Sequence, residues 1–134
     1  MNDQGIENRG VTQFVRGVLG CSCPDKVFED ISVTRQSKLF GITNCVYEIG
    51  GRLIVAIVVP QDWQDVEPAL GSMVEVGKKY RDRHGFNRFR LVVASDSDEA
   101  HQVLTAQFEA LPDIDERLHL HVIEPQKIPV HVQR

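Results

Sequence analysis

The chain has little that suits a membrane span, a secreted scaffold or a nucleotide site. Its longest apolar run, Leu53 to Val59, is only strand-length, far short of the roughly 18–20 residues a span needs. Cysteines number three, an odd count that argues against a secreted disulfide framework. Six prolines and ten glycines in 134 residues are too few for a low-complexity chain, and 42% hydrophobic residues are too many for a disordered one. Met1 to Gly10 is polar, unlike a secretory signal or an arginine-rich transit peptide. A cytoplasmic location without membrane attachment is therefore expected. Neither the dinucleotide fingerprint nor the P-loop pattern occurs, and no serine sits in a G-x-S-x-G elbow. The formal charge is −4, which disfavours nucleic acid as a general partner.

What is present fits one domain spanning residues 1–134, with 1–10 expected as a flexible start. Val11, Phe14, Val15, Val18 and Leu19 recur at helical spacing, and Gly20 stands where a C-cap glycine ends such a stripe. Pro24 opens a second, short helix with Val27, Phe28 and Ile31 on its apolar side. Strands follow at Ile42 to Ile49 and Arg52 to Val59, joined at Gly50-Gly51 as a two-residue hairpin. That register sets Ile49 opposite Arg52, Tyr47 opposite Ile54 and Cys45 opposite Ala56.

A long helix is expected from about Asp65, its N-cap, to His84, closed by Gly85. Gly77 on its apolar face would let it approach a sheet closely. Phe89 to Ala94 reads as a third strand. Asp96 and Glu99 resemble a capping box before the stripe Ala100, Val103, Leu104, Phe108 and Leu111. Leu118 to Ile123 alternates as a fourth strand, and residues 126–134 form a tail, an edge strand or a dimer arm. The order α-α-β-β-α-β-α-β predicts an α/β chain, with α+β as the alternative class. Its mixed four-stranded sheet would have right-handed crossovers and form a three-layer sandwich.

Chemistry is expected at three places. The Cys21-Ser22-Cys23-Pro24 turn would set Cys23 at a helix N-cap, where the dipole favours thiolate. Two thiols there suit metal ligation or disulfide exchange. Cys45, His119 and His121 are the remaining candidate ligands for a metal such as zinc or an iron–sulfur cluster, with magnesium behind them. Inert burial of all three cysteines is the competing reading. Acids at the carboxyl ends of the parallel strands, Asp62, Asp96, Asp98 and Glu124, would hold magnesium for a phosphorylated substrate, or merely cap helices. Lys78, Lys79, Arg81, Arg83, Arg88 and Arg90 crowd one stretch with Phe86 and Phe89 interleaved. They read as a solvated helix end first and as a binding patch second.

Three functions remain open on this reading. The foremost is a small cytosolic binding or assembly protein with a protein partner or a homo-oligomeric state. A thiol-redox or metal-binding module is the second. A magnesium-dependent enzyme is the third.

Overall fold

The computed structural model describes residues 3–35 and 43–132. The chain is a mixed α/β fold. Its elements are α1 (Asp3–Gln13), β1 (Ile31–Arg35), β2 (Cys45–Ile49), β3 (Leu53–Val58), α2 (Glu67–His84), β4 (Arg88–Ala94), α3 (Asp98–Glu109) and β5 (Leu118–Ile123). The sheet has five strands in spatial order 1-2-3-4-5, not the four expected. β1 to β3 pair antiparallel, whereas β3, β4 and β5 run parallel through the two long helices.

The added strand comes from residues expected at the end of a short helix. Ile31 and Val33 alternate with Ser32 and Thr34, a β-branched period-two pattern that suits a half-covered edge. Only Asp25–Glu29 is helical, as one 3-10 segment capped by Pro24 without a side-chain bond. Cys23 therefore does not occupy a helix N-cap. Ile42, the expected start of the hairpin, lies outside the described residues.

The hairpin register is one residue away from expectation. Ile49 pairs with Leu53, Tyr47 with Val55 and Cys45 with Ile57. Gly50 and Gly51 both take positive φ, 60° and 65°, and Arg52 joins them in a three-residue loop. Every residue of β3 is buried, so no polar–apolar alternation marks its register in the sequence.

Two caps also differ from expectation. Asp62, not Asp65, accepts from the Gln64 amide at 2.9 Å and opens the turn before α2. Ser97, not Asp96, caps α3 by accepting from the Ala100 amide at 3.1 Å. Gly85 ends α2 at φ 75°, as expected. Gly77 is also where close approach demands it. A Cβ there would overlap the ring of Phe89.

The core divides across the sheet. On one side Leu70, Met73 and Leu104, from α2 and α3, pack against Ile54, Ala56, Leu91 and Val93. On the other, Val11, Phe14, Val15 and Leu19 pack against Tyr47, Val55, Ile57 and Val92. The apolar stripe continues past α1 through one π-helical turn, Phe14–Val18. The polar segment before Val11 is helical from Asp3. The tail is not an edge strand over its described residues. It forms two 3-10 turns, Pro125–Lys127 and Val130–Val132, and returns Ile128 and Val132 to the core. His131 is buried there with Nε2 2.7 Å from the Tyr47 hydroxyl. Among the described residues no helix is long and apolar enough to cross a membrane.

Candidate functional site

Strand period places Arg88 and Arg90 on the same face as Val92, and His119 and His121 on that face of the neighbouring strand. Leu118, Leu120 and Val122 point the other way, toward α2 and α3. The histidines thus lie on the face away from those helices. The four polar side chains form a ladder. Arg88 Nη1 is 2.8 Å from His119 Nε2, and Arg90 Nη1 is 2.9 Å from His121 Nε2. A guanidinium only donates, so each Nε2 accepts, and in the neutral ring the proton sits on Nδ1. Burial, then the charge of Arg90 and in smaller measure of a second neighbour, pushes both imidazoles down to about 4. At neutral pH they supply lone pairs and no charge.

Arg90 is the most constrained member. It is 9% exposed. Burial, followed by the nearby Arg88, lowers its pKa from the ordinary guanidinium value, although an arginine stays charged in water near pH 7. Its Nε is sealed from solvent without a hydrogen-bond partner. Among the described residues no carboxylate pairs with it. A buried cation with one neutral acceptor is an expensive arrangement unless something else completes it.

The space beside it is a cleft of about 870 Å³ between the cysteine turn and the start of β3 and β4. Arg52, Arg88, Arg90 and Lys26 contribute positive charge to its walls, against the carboxylates of Glu29 and Asp30. Cations outnumber acids two to one there, in a chain whose net charge is −4. The cleft opens at the amino ends of the parallel strands. The carboxyl ends, where the expected acids lie, are the other end of the sheet.

The Cys21–Cys23 turn also lines this cleft. These two sulfurs are paired with each other, with Cα atoms 5.6 Å apart. Cys21 is buried at 8% exposure, while Cys23 is half-buried. The turn is held in place. The Cys21 amide donates to Val15 O at 3.1 Å, and Arg16 Nη2 donates to Cys23 O at 2.8 Å. Arg16 also pairs with Asp25 at 2.6 Å and lies over the Phe28 ring.

The five candidate metal ligands are not assembled. Cys45 is fully buried on β2 in the core, outside the disulfide. His119 and His121 are engaged by arginines. Among the described residues no group of three or more His, Cys, Asp or Glu side chains is placed to hold a metal ion. At the carboxyl ends, Asp62 caps a turn, and Ser95 and Ser97 bond backbone amides.

The basic stretch is divided by the fold. Lys79 pairs with Glu75 on the surface of α2 and Arg81 is buried, whereas Arg88 and Arg90 enter the cleft. A second cavity of about 450 Å³ lies between α2 and the end of α3, near Val74, Leu111 and Leu118. Among the described residues no buried side-chain polar atom on its walls lacks a partner, so nothing there calls for a ligand. Arg88 and Arg90 belong to the stretch that the sequence offers second as a binding patch, whereas Arg52 was not singled out there. The usable signal was Arg88-Phe89-Arg90 itself, which in a strand sets two cations on one face. No family model, curated protein or solved structure matches the chain.

Proposed function

We propose that this chain is a binding protein whose arginine-lined cleft takes a small anionic ligand through carboxylate or phosphate groups. The carrying observation is Arg90: buried, charged, with no carboxylate partner among the described residues, and on the wall of an open cleft. Guanidinium groups bind such anions bidentately, with shorter and stronger hydrogen bonds than neutral donors make. Neutral His119 and His121 hold the two guanidinia in position and leave their charge uncancelled. The notch is large enough for a metabolite-sized molecule. On this reading the chain acts as one domain in the cytosol.

Titration with inorganic phosphate and with citrate, followed by NMR at low ionic strength, tests it. Shifts should concentrate on Arg52, Arg88, Arg90, His119 and His121. Arg90→Gln should weaken binding by about tenfold or more, since a hydrogen bond to a charged group contributes roughly 1.5–3 kcal/mol. Absent or scattered shifts, or an unchanged affinity in Arg90→Gln, would remove the reading.

A further inference from the structure

The disulfide and the arginines line a single cleft, and this juxtaposition carries a chemical consequence. We propose that Cys21–Cys23 is a redox pair that exchanges with a carboxylate-bearing low-molecular-weight thiol seated on Arg88 and Arg90. The inference rests on the anion-binding reading of the same cleft and adds the class of ligand.

Three observations support it. First, the bond closes a very short loop, with one residue between the cysteines. Loop-closure stabilisation grows with loop length, so this bond has the least to offer the fold. Second, both cysteines line the open cleft, Cys23 half-buried and Cys21 buried. An incoming thiolate therefore reaches one sulfur more readily than the other. Third, Arg16 fixes the turn by its bond to Cys23 O, so the sulfurs keep their position relative to the cleft. In the expected cytosolic setting, disulfides that form are transient and functional rather than structural.

The exchange balances without any further reagent. The small thiol, as thiolate, attacks Sγ of Cys23. A new S–S bond forms to Cys23, the Cys21–Cys23 bond breaks, and its electron pair leaves on Cys21 as thiolate, which takes a proton from water. A second thiolate attacks the small-molecule sulfur of the mixed disulfide. That releases the oxidised small-molecule disulfide and leaves Cys23 as thiolate. Two thiols are oxidised by two electrons, and the protein disulfide is reduced to two thiols. The arginines take no part in these bonds. They hold the carboxylates of the incoming thiol and so raise its local concentration at Cys23.

The test compares two probes on the oxidised full chain: glutathione, which is anionic, and cysteamine, which is cationic. Acid-quenched samples are read by intact mass and peptide mapping. Glutathione should give a one-to-one adduct at Cys23, absent in Cys23→Ser, and should react about tenfold faster than cysteamine after correction for their intrinsic thiol reactivity, the factor expected of a charge-assisted contact. That preference should collapse in Arg90→Gln. It should also collapse in the unmodified protein as salt is raised, because screening weakens exposed charge contacts. The salt series stands even if the variant fails to fold. Equal corrected rates for the two thiols, an adduct on Cys21, or two free thiols at these positions after air oxidation would each overturn the proposal. Phosphate titration of the same protein separates the two claims. Binding of phosphate without any preference for glutathione defeats the exchange alone, whereas absence of phosphate binding defeats the anion reading beneath it.

Discussion

Arg81 and Arg90 are both buried arginines, on opposite sides of the sheet, and they are treated in opposite ways. Arg81, 1% exposed at the end of α2, makes two parallel hydrogen bonds to Asp115 at 3.0 and 2.8 Å and another to Asp82 at 2.9 Å. The exchange of charge is mutual. Arg81 holds the Asp115 carboxyl down to about 2, and Asp115 holds the guanidinium above its ordinary value. Arg90 has a neutral imidazole, a second arginine nearby and an orphaned Nε. The first arrangement is complete within the chain and ties α2 to the loop before β5. The second, on the proposed reading, is completed by a bound anion. Buried charge thus serves the fold on one face and, on the proposed reading, a ligand on the other.

The largest effect should come from breaking the complete pair. Asp115→Ala leaves Arg81 buried beside only an exposed Asp82 and should lower unfolding free energy by about 3 kcal/mol, measured as a shifted urea midpoint. Arg90→Met should behave differently. It removes a cation that no carboxylate among the described residues compensates, so stability should hold or rise by about 1 kcal/mol while phosphate binding is lost. If Arg90→Met costs as much as Asp115→Ala, the two arginines are alike and the comparison fails.

Acid titration sharpens the contrast further. The folded rings of His119 and His121 sit near 4, below the ordinary value of about 6.5 for an unfolded histidine. The unfolded chain therefore binds protons that the native rings refuse. Stability should be full above about pH 6.5 and fall as the pH drops toward 4. Asp115 adds a separate loss between about 3.8 and 2, as its carboxyl is protonated and Arg81 loses its partner. Urea unfolding at a series of pH values should show the upper loss shrink in His119→Asn and His121→Asn, with the lower one unmoved. The smallest effect belongs to the surface. Lys79→Ala breaks an exposed pair with Glu75 and should change the urea midpoint by no more than about 0.5 kcal/mol equivalent.

Much of the architecture was legible because it is written in periodicity. The stripes of α2 and α3, the closing Gly85, the close approach at Gly77 and the faces of β5 all follow from spacing and residue size. β1 was hidden because Ile31 also completes an apolar side with Val27 and Phe28, and a short strand carries little pattern of its own. The hairpin register was hidden because β3 is apolar throughout. For the site, alternation located the histidines correctly but could not reveal their partners. Arg88 and Arg90 looked like the end of a charged helix because they follow Lys78 to Arg83 in sequence. Pairing across the sheet, which brings residue 90 beside 119 and 121, is what turns them inward. The cysteines were visible as a pair, but their helix cap was not real, since Asp25–Glu29 forms only a 3-10 segment.

Whether the Arg90 guanidinium accepts an anion is reported most directly by its own side-chain NMR signals. On addition of phosphate to the folded protein, the guanidinium resonances of Arg90 should move and saturate, while those of Arg81 stay where they are. Saturating movement at Arg81, or no movement at Arg90 at phosphate concentrations that merely perturb exposed Arg83, would contradict it.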